Sequence, residues 1–248
     1  MAMLAFAAAF TLGLTGYGFG LVAMAGLPFV LSVAEASAFV VPLALNVTVV
    51  AWIPLRNEVH ASFLWPVIVG AVVGVPLGVI YLVQLDETVL RVSLAAVILF
   101  ALAGSVLMSL RSRRASRRSA SHGSASRGRG GRVVAIVIGA LSGSLGGAFS
   151  VSGPPVAFYF AEVFSNKITM KAHLLAYFMV VMTIRLPLLA VSGVYTLSLL
   201  LLIAGALPIV GAGLWAGTVL HRRLPADVVR GVVQALLAAS AVLMIVRA

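Results

Sequence analysis

The stretch from Ser142 to Phe160, SGSLGGAFSVSGPPVAFYF, mixes glycine, serine and two prolines, carries no charge until Glu162, and sits inside an apolar run from Val133 to about Phe164. In water it would be a loop. With apolar sequence on both sides it falls at membrane depth, where non-helical backbone survives only if it is buried in protein or lines a cavity. A second patch, GLTGYGFG from Gly13 to Gly20, has the same character. Sliding the chain on itself until Gly13 falls on Gly143 also puts Gly16 on Gly146 and Phe19 on Phe149. The chain reads as two copies of one unit, each opening with a glycine-interrupted apolar segment.

Of its 248 residues 62% are hydrophobic and 9% are charged, more apolar surface than a water-soluble domain of this length hides. The expected fold class is an all-α polytopic membrane protein of two inverted repeats. Each repeat is a glycine-interrupted re-entrant or broken helix followed by three transmembrane helices. Residues 1–110 form the first repeat and 133–248 the second. Between them, 111–132 reads RSRRASRRSASHGSASRGRGGR, a flexible basic linker too polar to bury a core. There is no cysteine, which excludes disulfides, thiolate metal sites and cysteine nucleophiles. The formal charge is +11, but eight of the 17 basic residues lie in that linker. Such a cluster beside membrane spans sets topology. Nucleic acid is not an expected partner, because no aromatic residues interleave with the arginines. The N-terminus lacks the basic n-region of a signal peptide.

Each interrupted block is longer than the roughly 20 residues of one span. Two half-helices of roughly 15 residues, about 22 Å each, fit it, as does a single long tilted helix. Further spans are expected at about 34–55, 62–85, 88–110, 172–192, 196–220 and 226–246. Gly70, Gly74 and Gly78 have the spacing that lets helices approach closely. With the basic linker in the cytoplasm, a single crossing by 133–164 would leave Lys167, Lys171, Arg222 and Arg223 outside and only Arg247 inside. A re-entrant hairpin reverses that count and satisfies the positive-inside rule. It puts Asn166 and His221 in the cytoplasm, and Gly193 and the C-terminus outside. Three spans after a hairpin is an odd number, so the repeats are inverted and their glycine tips dip in from opposite faces.

No Asp or Glu falls deep in a span, which leaves no carboxylate pair for acid–base chemistry, no cage for a hard cation and no carboxylate proton relay. The histidines, His60, His122, His173 and His221, show no metal-ligand spacing. No metal, no cofactor and no catalytic residue is expected. Arg185 stands inside a span, next to Pro187, with no deep carboxylate to pair it. Buried cations of this kind face a cavity or a partner, and an anion is the contact expected here; hydrogen bonding to freed carbonyls is the alternative. Sliding Thr48 onto Arg185 puts Asn46 on Thr183, so the first unit carries polar groups at similar depth. The glycine patches supply the other half of an anion site, because interrupted helices present N–H groups and a partially positive end. Gly153, Pro154 and Pro155 suit the start of a second half-helix, and Ser150 and Ser152 add hydroxyls before it. The candidate substrate-binding set is Gly16, Gly18, Gly20, Asn46, Thr48, Gly146, Gly147, Ser150, Ser152, Gly153, Pro154 and Arg185. Tyr159, Tyr177 and His173 are expected to serve packing.

The two-fold plan, GYGFG near the N-terminus and SGSLGGAFSVSGPP after a central basic linker resemble the TauE/SafE sulfite exporter family over nearly the whole chain. Ser150 departs from the pattern, since glycine is expected there. The resemblance implies a multi-pass protein of a bacterial inner membrane that moves small sulfur-containing anions such as sulfite, sulfoacetate or other sulfonates. Expected partners are a small anionic substrate and the lipid bilayer, and a homodimer is compatible with both. An uncoupled anion channel or facilitator and a non-transporting scaffold subunit are the alternatives.

Overall fold

The computed structural model describes residues 1–16, 18–115, 129–164 and 166–221. Among them the chain is helical, with no strand: α1 Ala2–Thr15, α2 Phe19–Gly26, α3 Val33–Trp52, α4 Ala61–Gln84, α5 Glu87–Ala115, α6 Arg129–Phe149, α7 Gly153–Val163, α8 Lys167–Val191 and α9 Leu197–His221. Five described stretches are long and apolar enough to cross a membrane: Val33–Glu58, Ala61–Gln84, Gly131–Phe149, Lys167–Val191 and Leu197–Leu220. Their outer faces are apolar as well. On α4, Val69, Val72, Val73, Leu77 and Ile80 are exposed, a stripe too large for a water-facing surface and suited to lipid tails. These are the dimensions and surface of a multi-pass membrane protein.

The expected spans correspond to α3, α4, α5, α8 and α9. The last one, 226–246, lies outside the described residues, as do Arg222, Arg223 and Arg247. Helix enters the basic stretch from both sides, through Ala115 and from Arg129, and 116–128 lies outside the described residues. α8 starts at Lys167 rather than near Ala172. The Asn166 side chain accepts the Ile168 N–H at 2.9 Å and caps the helix, so most of the expected polar loop is its first turns.

Both interrupted blocks are broken helices, but their arms are unequal. α1 and α2 have 14 and 8 residues, α6 and α7 have 21 and 11. α1 stops where Gly16 turns left-handed, at φ 82°. α6 stops where Ser150 does the same, at φ 59°. The Ser150 N–H bonds Gly146 O, the single closure of a left-handed helix end, and the Val151 N–H bonds Leu145 O beyond it. The helix ends thus put Gly16 on Ser150, one turn away from the Gly16-on-Gly146 register that residue matching suggests.

Each opening helix packs against a helix from the other half of the chain: α1 on α9 and α6 on α4. Glycine sets both seams. A Cβ on Gly70, Gly74 or Gly78 would meet the α6 backbone at 2.0–2.2 Å, at Ile136, Ala140 and Ser144 in turn. Gly139 and Gly147 press back on Val67 and Val75. The residue order shows that α4 and α6 run parallel. In the other seam Gly13 meets Leu214 and Gly217 meets Phe10. Gly205 on α9 has nothing within 4 Å among the described residues.

Both broken helices fold back. Thr169 Oγ1 donates to Glu58 at 3.0 Å and His60 N–H donates to His173 at 2.9 Å, so α8 starts beside the start of α4. α6 runs parallel to α4, so the chain goes in along α6 and returns along α7. Lys171 Nζ reaches Gly13 O at 3.4 Å, which puts the end of α1 beside the start of α8. The Val33 N–H donates to the Glu87 carboxylate at 3.1 Å, which puts the start of α3 beside the turn between α4 and α5. α1 therefore runs toward one face and α2 back toward the other.

Glycine at the α4–α6 seam leads to a stability prediction. Gly74→Ala should lower the melting temperature in detergent by an amount equivalent to about 1–3 kcal/mol of overpacking. Gly205→Ala should be neutral or slightly stabilising, because alanine is the better helix former. Equal melting temperatures for the two variants would remove the seam as a source of stability.

Candidate functional site

The second arm of each broken helix begins at the same place. Gly18, at φ 98°, precedes α2, and Ser152 precedes α7; neither start has a side-chain cap. The first intrahelical bond of α2 is Val22 N–H to Gly18 O at 3.0 Å, so the N–H groups of Phe19, Gly20 and Leu21 have no acceptor within the helix. On α7, Pro154 and Pro155 have no N–H, so Gly153 carries the open donor of the first turn. All four of these residues line one small cavity, with Leu12, Gly18, Ala44, Thr48, Ser150, Val151, Ser152, Phe178 and Met182. It leaves about 30 Å³ of room for water centres. That exceeds the ~10–15 Å³ one water needs and is far below the ~300–1,000 Å³ of pockets for drug-sized ligands. Two helix N-termini converging on a compact space make it partially positive.

The tips touch at Gly20, where a Cβ would lie 1.8 Å from Ser150 O. Only glycine lets the start of α2 approach the end of α6 this closely. The described carboxylates are elsewhere. Glu35 closes a capping box with Ser32. Glu87 caps α3 and pairs with Arg91 at 2.9 Å. Glu58 holds Thr169, and Asp86 and Glu162 are exposed.

Arg185 lies behind the cavity wall. It is fully buried. One guanidinium nitrogen donates to Ser150 Oγ; another donates to Ser37 Oγ and, at 3.1 Å, to Ala148 O. Ser37 Oγ also donates to Ala148 O at 2.9 Å. Arg185 and Ser37 together cap the Ala148 carbonyl at the buried end of α6, while Nε has no partner. Here lies the reason for serine at a left-handed position that normally takes glycine. The conformation costs a non-glycine residue roughly 1–2 kcal/mol, and the hydroxyl is the acceptor that turns Arg185 toward the cavity wall. Tyr195, between α8 and α9, donates to Ala38 O at 3.1 Å. Burial pushes its phenol up to about 12, against the pull of the Arg185 charge, so it remains a donor at neutral pH.

The cavity brings together Gly18, Gly20, Thr48, Ser150, Ser152 and Gly153 of the expected set. The rest stand apart. Gly16 lies under the Lys171 stem, and Gly146 packs against Ser152 and Val181. Gly147 packs on α4, and Pro154 is buried in the first turn of α7. Asn46 is exposed, on the other side of α3 from Thr48. Thr183 is exposed too, and Thr48 and Arg185 are both buried, so the matched pairs keep the same inner and outer faces. Arg185 contacts the wall through Ser150 rather than lining the cavity. Tyr177 is buried and donates to Gly139 O at 3.3 Å, a packing role as expected.

Sequence reading missed Phe178, Met182 and Ser37. The first two precede Arg185 by seven and three residues, on one face of α8, a helical spacing that points to them. Nothing in the sequence singles out Ser37, whose role depends on where α6 ends.

The family described as Sulfite exporter TauE/SafE matches residues 1–244 of the chain. Neither a curated protein nor a solved structure matches it.

The Arg185–Ser150 pair can be tested by melting temperature alone. Arg185→Ala removes the hydrogen bonds to Ser150, Ser37 and Ala148, charged bonds worth about 1.5–3 kcal/mol each, and should be the least stable variant. Ser150→Ala keeps the left-handed backbone but loses the acceptor, and should fall in between. Ser150→Gly relieves the backbone and should be the most stable of the three. If Ser150→Ala proved as stable as Ser150→Gly, the left-handed cost assigned to this residue would be wrong.

Proposed function

The chain belongs to the sulfite exporter TauE/SafE family, and from that premise we propose that it carries a small sulfur-containing anion, such as sulfite, sulfoacetate or a related sulfonate, across a bacterial inner membrane by alternating access. In this reading 1–110 and 133–248 are two inverted repeats, and the basic stretch 111–132 lies in the cytoplasm. One observation carries the proposal: the uncapped starts of α2 and α7 converge on a cavity with no carboxylate in its lining. Open N–H groups at helix starts recognise sulfonate and sulfite oxygens as they recognise phosphate. Arg185, held behind Ser150, adds positive charge without presenting a fork that would grip the anion too tightly to release.

The inverted arrangement draws support from the exchanged packing. α1 rides on α9 and α6 on α4, and the two fold-backs run in opposite senses. In each half a side chain near the start of the helix after the hairpin reaches the end of the other half's opening helix: Ser37 of α3 reaches Ala148 O, and Lys171 of α8 reaches Gly13 O. Rocking one half against the other would shift the two tips relative to each other. The absence of a carboxylate deep in the described spans favours a second reading, an uncoupled anion facilitator. Counterflow in liposomes with and without a pH gradient separates the two.

Binding comes first. Purified protein should gain thermal stability with at least one of sulfite, thiosulfate or sulfoacetate, by about 2.7 kcal/mol equivalent at a hundredfold excess over Kd. Sulfate and taurine serve as comparison anions. Gly20→Ala, which forces the two tips apart, should fold and lose that gain. A Gly20→Ala protein that is stabilised as fully as the unaltered chain would move the anion away from this cavity.

A further inference from the structure

His173 lies away from the cavity and has no part in anion recognition, yet its side chain is completely buried and both ring nitrogens are engaged. The His60 N–H donates to Nε2 at 2.9 Å. Nδ1 lies 2.8 Å from Thr169 O. An Nε2 that accepts makes the ring neutral, with its proton on Nδ1 and donated to Thr169. The same surroundings accept a second proton. Nε2 also lies 3.3 Å from His60 O, so an imidazolium would find a carbonyl for each N–H. The ring has partners in either state, and the change of state swaps a bond accepted from His60 for one donated to it.

A route for the proton is present. The His60 ring is exposed and stacks on His173, 5.8 Å between centroids and 2° between planes. Glu58 adds a negative charge one bond away, accepting from Thr169 Oγ1 at 3.0 Å. The short helix Ile53–Glu58, which packs on α8, also carries Arg56, which is exposed. α7 presents Phe160 and Phe164, with Glu162 exposed. α4 has no charged residue, and the one in α3 is at its far start, Glu35. On α8 itself, Lys167 is exposed and Lys171 reaches Gly13.

α7 connects this site to the cavity. Its first residue, Gly153, lines the cavity, and its end packs Phe160 and Phe164 on the His173 ring, Phe164 at 4.3 Å. We propose that His173 is the proton-binding site that couples anion movement to a pH gradient, a proposal that rests on the transport reading above. The proton comes from water at the exposed His60 face and goes to Nε2, and no other bond is made or broken. The added positive charge partly offsets the anion's, and the altered α4–α8 junction acts on the arm that carries Gly153. A proton fits better than a metal ion, since no described group of three His, Asp or Glu side chains forms a metal cluster.

The test uses full-length protein in liposomes, with sulfite and sulfoacetate in parallel. The unaltered chain should exchange one of them and accumulate it when a pH gradient is imposed. His173→Gln should keep exchange and lose gradient-driven accumulation. Accumulation retained by His173→Gln overturns the proton assignment. So does exchange in the unaltered chain that ignores the gradient, which leaves the transport reading standing. No exchange of either anion removes both. Because His173→Gln risks misfolding, ring-nitrogen NMR of the unaltered protein gives an independent reading. His173 should be the Nδ1-protonated tautomer at high pH and gain its second proton over the pH range in which flux changes. A ring that stays neutral across that range also overturns the proposal.

Discussion

The carboxyl end of α6 is buried in the protein, and its last carbonyls need donors that neither lipid nor bulk water supplies. Arg185 and Ser37 provide them at Ala148 O, the Ser150 and Val151 N–H groups at Gly146 O and Leu145 O, and much of the remaining structure follows. Without that cap α6 could not stop at Ser150, α7 could not start at Gly153, and no helix start would face the cavity. The guanidinium has no carboxylate partner among the described residues; the partial negative charge of the helix end takes that place. The buried charge is thus only partly compensated, and the surplus lies one residue from the cavity. Lys171 does a lesser version of the same job at the end of α1, through Gly13 O.

The cap would be useless if α6 could not sink deep enough to bring Ser150 to Gly20. The glycine seam with α4 provides that depth. Approaches of about 2 Å between an imagined Cβ and the facing backbone mean that any side chain would hold the helices apart. In lipid there is little hydrophobic drive between helices, so close backbone packing carries the association. The exchange of opening helices has a functional consequence under the alternating-access reading. Each tip is carried by a helix embedded in the opposite half, so relative motion of the halves shears the two tips against each other.

The membrane class, the positions of most spans and the two broken segments were legible in the sequence because they rest on hydropathy and on glycine placement. So was the burial of Arg185 with no carboxylate partner among the described residues. Residue identity matches Gly16 to Gly146, whereas the left-handed helix ends fall at Gly16 and Ser150, one turn apart. A left-handed serine is invisible in sequence, since its backbone is decided by where α6 must end and by the hydroxyl Arg185 needs. The same gap hid Ser37, and it made Asn46 look like a wall of the site when only its neighbour two residues on faces inward. Gly16, Gly146 and Gly147 were expected in the substrate site and stand outside the cavity, because spacing does not tell which neighbour a glycine admits.

The central structural claim is that α6 and α7 form a hairpin whose ends share one face, so that the two tips meet from opposite sides. A chain without natural cysteine allows this to be measured with single cysteines and a membrane-impermeant maleimide. Asn166→Cys and His60→Cys should label from the same side of the membrane, and Gly193→Cys from the other. Labelling of Asn166→Cys and Gly193→Cys from one side would mean that the α6–α7 segment crosses once, and the convergence of helix starts on a common cavity would fall with it.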